Sequence, residues 1–167
     1  MLQVIAHSIL PAPLHRVGLR LAHRLRHQWW RWRRPDLEAC RVLALDAEGR
    51  VLLVRHSYGS GHWMPPGGGM ARGEDPVLAG LRELGEELGC GLDQPRIIDL
   101  TVDTLHGAGN RVHIILGLAS GAPQPDQREI IAAQFFALEA LPDDLALGLD
   151  EALPRWLAFD MRQEGQV

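Results

Sequence analysis

Residues 67 to 90, GGGMARGEDPVLAGLRELGEELGC, predict a glycine-rich turn followed by a helix. Apolar residues recur there at helical spacing, so the helix is expected from about Asp75 to Leu88. On a helix these apolar residues fall within roughly 60° of one another and form a stripe that faces a core. The stripe consists of Val77, Leu81, Leu84 and Leu88.

The same helix places Glu83, Glu86 and Glu87 within five residues, and no lysine lies beside them. The three side chains span roughly 100° on the side away from the apolar stripe. Like charges three or four residues apart destabilise a helix by about 0.2–0.5 kcal/mol per pair. Gly80 and Gly85 each cost about 1 kcal/mol relative to alanine. A solvated acidic face is one interpretation, but a hard cation such as Mg²⁺ would resolve the repulsion, because such ions prefer carboxylate oxygens.

Residues 68 to 90 resemble the Nudix box, Gx5Ex7REUxEExGU, in which U is a bulky aliphatic residue. Gly68 and Glu74 match its first two fixed positions, and Arg82 begins the REU triplet that leads into EExG. Only Cys90 departs from the pattern, since it is smaller than the aliphatic residue that is usual there. The complete set of fixed positions makes a chance match a poor explanation.

The segment before the box, WMPPGG, is similar to the W-x-L-P-G-G segment of the same family, with Pro65 where leucine is usual. Beyond the box the resemblance extends weakly over about residues 38 to 147, through strand order and a closing FFALEALP. It implies an α/β/α sandwich built on a mixed sheet.

The resemblance also implies hydrolysis, dependent on Mg²⁺ or Mn²⁺, of a nucleoside diphosphate linked to another group. It makes Glu86 and Glu87 the principal metal ligands and Glu83 either a third ligand or the base for the attacking water. Gly68 would offer its backbone carbonyl oxygen to a metal. Bound metals would neutralise the diphosphate, activate water and stabilise the leaving phosphate.

Two further positions complete the implied catalytic set. Arg82 would pair with Glu83 or Glu74 and hold a carboxylate in place. In many members of the family an acid from a loop beyond the box approaches the metals, and Glu129 occupies that place at the end of GAPQPDQRE. It would act as an extra ligand or as the base; the alternative is an exposed loop glutamate next to Arg128.

Substrate contacts are predicted beside the box, from Arg55, His62 and Trp63. Weaker candidates of the same kind are Tyr58, Arg111 and Phe135. The substrate itself is not identified by any subgroup marker, so a nucleoside triphosphate, a nucleotide sugar and an RNA 5′ end all stay open. A non-catalytic nucleotide-binding regulator is the alternative to an enzyme, and the intact set of glutamates argues against it.

The rest of the chain predicts a sheet with helices on both faces. Two hairpin signals and one further strand are expected, with strands at about residues 39–46, 50–57, 96–106, 111–119 and 131–138. Residues 121–129 are predicted to form an exposed loop. Residues 141–163 are predicted to be helical, with interruptions at Gly148 and Pro154.

Charge separates the N-terminal residues from the remainder. Residues 1–35 contain seven arginines and no acid, whereas the remainder contains ten arginines against all 21 acids, so +7 and −11 give the net charge of −4. We therefore expect a basic extension over residues 1–35 and a Nudix domain over residues 36–167. There is no lysine in the chain, which excludes a lysine nucleophile, a Schiff base and a P-loop lysine.

Residues 14–34 have helical period and a narrow apolar stripe opposite an arginine face. This basic helix has several alternative roles. It would dock on the domain or on the partner in a homodimer, lie on an anionic membrane surface, or bind RNA phosphates. A mitochondrial transit peptide is a further alternative.

Other classes of protein are excluded by simple patterns. Cys40 and Cys90 have no metal-ligand or redox spacing, so a cytoplasmic location is the default expectation. No apolar run approaches the ~18 residues of a membrane span. HExxH does not occur, and His106 and His113 fall on predicted strands, where a structural role is favoured over zinc binding.

Overall fold

The computed structural model describes residues 37–105 and 108–164 of the 167-residue chain. The predicted N-terminal helix, with its alternative partners, and His106 lie outside the described residues. The described elements, in chain order, are β1 (Leu37–Leu45), β2 (Val51–His56), α1 (Pro76–Leu88), β3 (Gly91–Leu105), β4 (Ala108–Ser120), β5 (Ile130–Phe136), a short 3₁₀ helix (Leu138–Ala140) and α2 (Leu149–Glu164). The five predicted strands and the helix after the glycine-rich turn are confirmed.

The five strands form one mixed sheet in the order β3-β4-β1-β2-β5. Strands β1 and β4 are parallel, with Leu37 opposite Asn110 and Leu45 opposite Leu118, while the other neighbouring strands are antiparallel. The mixed sheet that the family resemblance implies is therefore present.

Among the described elements, one helix packs on each face of the sheet, because strand side chains alternate between the two faces. On one face Leu84 and Leu88 of α1 pack against Val42 and Ile115. On the other face α2 packs against β1, β2 and β4 through Leu153, Trp156 and Leu157. The α/β/α arrangement is confirmed for the described residues.

Helix α1 has a strong signal at each end. Asp75 caps its start, accepting hydrogen bonds from the backbone N–H groups of Val77 at 2.9 Å and Leu78 at 3.0 Å. Pro76 occupies the first helical position, where a missing N–H costs nothing. Gly89 ends the helix in the left-handed region, with φ of 61°. These signals explain why the predicted bounds are accurate.

Gly80 has a packing role that the sequence does not reveal. A β-carbon at this position would lie 2.7 Å from Cδ1 of Ile115 and 3.0 Å from Cγ2 of Val42. The glycine therefore lets α1 approach the sheet closely. This packing accounts for a glycine in the helix, so Gly80 does not indicate a metal site. Gly85 meets no atom within 4 Å and has no such packing reason.

The C-terminal helix differs from its prediction. Helix α2 begins only at Leu149, after Gly148 with φ of 79°, and it contains Pro154 without being broken. Residues 144–146 are not helical, because they bond to the backbone of Trp63: Trp63 N donates to the Asp144 carbonyl at 3.0 Å. A proline in a helix removes one backbone hydrogen bond, and the burial of the neighbouring Leu153 at 0% exposure offsets that loss.

Two single features complete the description. Both cysteines are free and buried. Among the described residues, neither helix has the length and apolar character that a bilayer-crossing helix requires.

Candidate active site

A split between β1 and β2 creates the place for the glycine-rich loop. The two strands pair with each other only where Leu45 faces Val51, at the hairpin end. Farther from the turn, β2 pairs instead with Met64 through Val54. The first half of β1 pairs with residues 66–70, since its N–H groups donate to loop carbonyls: Cys40 to Gly68 and Val42 to Pro66, both at 2.9 Å. The loop therefore lies in the sheet, against α1.

Gly67 and Gly68 are required where the loop passes α1. Gly67 has φ of 137°, and a β-carbon there would overlap the carbonyl oxygen of Cys40. Gly67 also gives a backbone hydrogen bond to the Glu87 carboxylate. At Gly68 a β-carbon would lie 2.7 Å from the carboxyl carbon of Glu83. The carbonyl oxygen of Gly68 accepts the Cys40 N–H. Its role as a metal ligand stays a prediction.

We predict that Gly68→Ala lowers kcat by about 10- to 100-fold, because the added methyl group would lie 2.7 Å from the carboxyl carbon of Glu83 and would displace that carboxylate. The melting temperature should change little, since a side-chain end can move. Gly69→Ala is the matched control, as a β-carbon there meets no atom within 4 Å. Equal activity of the two variants in a steady-state assay would contradict the prediction.

Arg82 connects the acidic residues of the box. Its Nε donates to Glu74 at 3.0 Å and its Nη1 donates to Glu83 at 2.7 Å. The same Nη1 lies 3.6 Å from a carboxylate oxygen of Glu86. Glu74 is fixed in turn by the backbone N–H of Ala71 at 2.7 Å. The hydrogen bond from Arg82 lowers the pKa of Glu74, and the pairing expected with Glu74 or Glu83 occurs with both.

The three crowded glutamates do not share one exposed face. The side chain of Glu86 is 63% exposed and that of Glu83 is 14% exposed, while Glu87 is buried, with only 5% of its surface exposed. The interpretation of these residues as a solvated acidic face is wrong for Glu87, which is buried. The reason is tertiary, because Gly67 bonds to its carboxylate and the backbone N–H of Asp126 donates to its carbonyl at 3.1 Å.

Burial controls the charge of these acids. Desolvation raises the pKa of Glu87 to about 8, and the nearby charges of Glu83 and Glu129 add to the increase. Desolvation also raises the pKa of Glu83, although the hydrogen bond from Arg82 opposes it. Oε2 of Glu87 is buried, and residues 37–105 and 108–164 supply no hydrogen-bond partner for it. An unpaired buried carboxylate oxygen beside two other acids is a costly arrangement for a purely structural site.

A family model described as the NUDIX domain matches residues 36–156, well over half of the chain. The chain belongs to the Nudix family. The MutT NUDIX hydrolase from Burkholderia pseudomallei is 28% identical with a TM-score of 0.63, over 72% of this chain and 97% of that one. The MutT protein from Methanosarcina mazei Go1 is 22% identical with a TM-score of 0.64, over 81% of this chain and 99% of that one. The Escherichia coli ORF135 protein has the same fold, with a TM-score of 0.61 at 20% identity, over 75% of this chain and 91% of that one.

As a member of the Nudix family, this protein is a hydrolase that acts on pyrophosphate bonds. Its acids fit a hard divalent cation in their chemistry, since Glu87 presents a buried carboxylate oxygen that finds no partner in the part of the chain that the structure describes. Within residues 37–105 and 108–164, no three carboxylate, imidazole or thiol groups already converge closely enough to hold an ion. Glu83 is held by Arg82, and Glu86 faces solvent. Both glutamate side chains would therefore have to turn toward Glu87 to bind an ion together with it.

Glu129 lies beside these acids at the start of β5. Its charge raises the pKa of both Glu83 and Glu87, so its carboxylate is close to theirs. The Tyr58 hydroxyl lies 3.5 Å from Glu129 Oε2, at the outer limit of a hydrogen bond. The structure thus brings Glu83, Glu87 and Glu129 together on one side of α1, although Glu129 follows Glu83 by 46 residues in the sequence.

The predicted substrate contacts form a second group around Asp144. Arg55 makes an ion pair with Asp144, and its guanidinium lies over the Trp63 ring at 4.8 Å. Trp63 is 9% exposed and contacts Phe136 edge-on, so its ring is mainly part of the core. His62 is exposed, with Nδ1 3.2 Å from the Asp144 carbonyl oxygen. Substrate binding by this group stays a prediction.

The weaker candidates lie apart from one another. Arg111 is exposed and 3.9 Å from Glu38, and Phe135 packs against the core under α1. Neither contact indicates a role in the site.

Two residues near the acids were not predicted. Arg41 lies on β1, where burial lowers the pKa of its guanidinium and the charge of Glu87 opposes that shift. A single charge inside the apolar run ACRVLAL is a sequence signal that would have identified Arg41. The other residue is Asp126, whose place in a loop rich in turn-forming residues indicates bonds to its own backbone.

Proposed function

We propose that this Nudix hydrolase is a Mg²⁺- or Mn²⁺-dependent pyrophosphohydrolase that cleaves a nucleoside diphosphate linked to another group. The observation that carries the proposal is the buried Oε2 of Glu87, which has no hydrogen-bond partner among the described residues and lies beside Glu83 and Glu129. Neutral protein groups do not satisfy that oxygen, whereas a hard cation would. The substrate class includes nucleoside triphosphates and nucleotide sugars.

In this proposal Glu86 and Glu87 hold the cation, and Glu83 joins them after turning from Arg82. The bound cation would polarise the phosphate oxygens and lower the pKa of an attacking water. Arg82 keeps Glu83 within reach and ties the helix to the loop through Glu74. Either Glu83 or Glu129 accepts the proton of the attacking water, since both carboxylates lie near Glu87.

The acceptor of that proton has a clear physical requirement. A general base works best when its pKa lies near the working pH. Burial raises the pKa of Glu83 in that direction, while Glu129 approaches from a separate element, the start of β5. Gly68 provides the space in which the Glu83 carboxylate sits, because any side chain there would displace it.

We expect hydrolysis of at least one nucleotide in a panel of nucleoside triphosphates, nucleotide sugars and 5′-triphosphate RNA, measured by the release of phosphate and pyrophosphate. The reaction should need Mg²⁺ or Mn²⁺ and should stop in EDTA, because the acids alone offer no counter-charge to a diphosphate. Activity that persists in full in EDTA would contradict the metal-dependent mechanism.

The same panel distinguishes the alternatives. Nucleotide binding without turnover would favour a non-catalytic regulator. Turnover confined to 5′-triphosphate RNA would identify an RNA 5′-end pyrophosphohydrolase. The family comparisons support hydrolysis in general, and the panel is needed to name the nucleotide.

A further inference from the structure

The carboxylate of Asp126 binds three consecutive backbone N–H groups. Its Oδ1 accepts from Arg128 at 2.9 Å, from Glu129 at 2.9 Å and from Ile130 at 2.8 Å. Oδ2 lies 3.2 Å from the same Glu129 nitrogen. Hydrogen bonds to a charged acceptor are roughly twice as strong as neutral ones, so this side chain fixes the backbone on which Glu129 is carried.

The backbone of the same loop is attached to the last turn of α1. The N–H of Asp126 donates to the Glu87 carbonyl at 3.1 Å, and the N–H of Gln124 donates to the Leu88 carbonyl at 2.7 Å. The last carbonyls of a helix have no partner within the helix, so this loop satisfies them. Asp126 is therefore bonded to Glu87 through its backbone and to Glu129 through its side chain.

The residue that follows β2, Ser57, also holds the loop that carries Asp126. Ser57 is buried, and its N–H donates to the Glu129 carbonyl at 2.7 Å while its Oγ donates to the Arg128 carbonyl at 2.6 Å. Between these anchors Gln127 adopts a positive φ of 60°, which an ordinary residue adopts only when its surroundings require it. The geometry of the turn thus depends on contacts that Asp126 supplies.

We propose that Asp126 is a positioning residue that holds Glu129 beside Glu83 and Glu87. Carboxylates of like charge repel one another, so a third acid stays close to two others only if the backbone that carries it is held. Asp126 joins the two backbones that carry Glu87 and Glu129. This inference rests on the proposed function, because it assigns a purpose to the position of Glu129 in the hydrolytic site.

The test compares kcat and KM of full-length Asp126→Ala with those of the wild-type protein. We expect kcat to fall about 10- to 100-fold, with KM within about twofold, because a misplaced catalytic group affects turnover more than binding. Asp126→Asn keeps an oxygen acceptor and should recover most of the kcat. If Asp126→Ala does not fold, Asp126→Asn still tests the idea through a smaller loss of kcat, since its bonds are no longer charge-assisted.

A double-mutant cycle separates positioning from a general structural role. In a Glu129→Gln background, Asp126→Ala should change kcat by less than about twofold, because the group it positions is already neutral. Asp46→Ala is the matched control: Asp46 Oδ1 accepts the N–H groups of Glu48 at 3.1 Å and Arg50 at 2.8 Å in the β1–β2 turn. This control should leave kcat unchanged.

Amide hydrogen exchange gives a readout that does not depend on activity. In Asp126→Ala the amides of residues 128–130 should exchange at least about 10-fold faster, since they lose their acceptor. Unchanged exchange, or an equal loss of kcat in both backgrounds, would overturn the inference while leaving hydrolysis intact. A wild-type protein that hydrolyses nothing in the nucleotide panel would overturn the proposed function, and this inference with it.

Discussion

Replacing Glu87 with glutamine is expected to lower kcat by at least about 10²-fold at saturating Mg²⁺ or Mn²⁺, the effect of losing a major electrostatic element. The reason is the position of its carboxylate, which is buried with an unpaired oxygen beside Glu83 and Glu129. Glutamine keeps the size of the side chain but offers one neutral oxygen to a cation. The measurement is kcat by steady-state kinetics on the substrate found in the nucleotide panel.

Glu86→Gln should have an effect of the same order, and it has a close structural control. Glu86 is 63% exposed and lies 3.6 Å from Arg82, while Glu48 is 68% exposed and lies 3.2 Å from Arg50. The two glutamates have similar surroundings except for the neighbouring acids. Glu48→Gln should therefore keep full activity, and a similar loss in both variants would show that charge near the surface, rather than the acid cluster, is what matters.

The elements of this fold were predictable where the signal is local. Asp75, Pro76 and Gly89 define the ends of α1 by capping chemistry that any helix would use, so its bounds follow from the sequence. Two hairpins and a final strand follow from apolar runs and turn residues. The prediction of helix before Gly148 is wrong, because the bonds between residues 144–146 and Trp63 decide where α2 starts. The predicted interruption at Pro154 is also wrong, since α2 continues through it.

The site was predictable in its residues but not in its burial. The spacing of the box identifies Glu83, Glu86 and Glu87, yet helical geometry alone places all three on the side away from the core. Glu87 becomes buried because the loop at Gly67 and the loop at Asp126 both reach it from distant parts of the chain. Nothing in the helix itself contains that information.

The buried Glu87 also makes stability depend on pH in the metal-free protein. Its pKa is about 8 in the folded state, against an ordinary value of 4.5. Between these values the folded protein retains a proton that the unfolded chain has lost. The stability that protonated Glu87 contributes is fully present below about pH 4.5 and is lost as the pH rises through about 8. Over this range the free energy of unfolding falls by at most about 1.4 kcal/mol per pH unit.

We therefore expect the melting temperature in EDTA to fall between pH 5.5 and pH 8.5, in the range set by the pKa of about 8. The raised pKa of Glu83 acts in the same direction. The lowered pKa of Glu74 acts in the opposite direction, but only below its ordinary value of 4.5, outside this range. Saturating Mg²⁺ or Mn²⁺ should reverse the fall, because a cation that binds only the folded, ionised site stabilises it.

Glu87→Gln separates this effect from any other pH-dependent change in stability. The variant cannot ionise at this position, so its melting temperature in EDTA should be higher than that of the wild-type protein at pH 8.5 and should depend less on pH. The difference between the two proteins should shrink toward pH 5.5, where Glu87 retains its proton. Metal should stabilise the variant less than the wild-type protein. Parallel pH curves for the two proteins would mean that Glu87 is ionised throughout, and that its unpaired oxygen has a partner in solution.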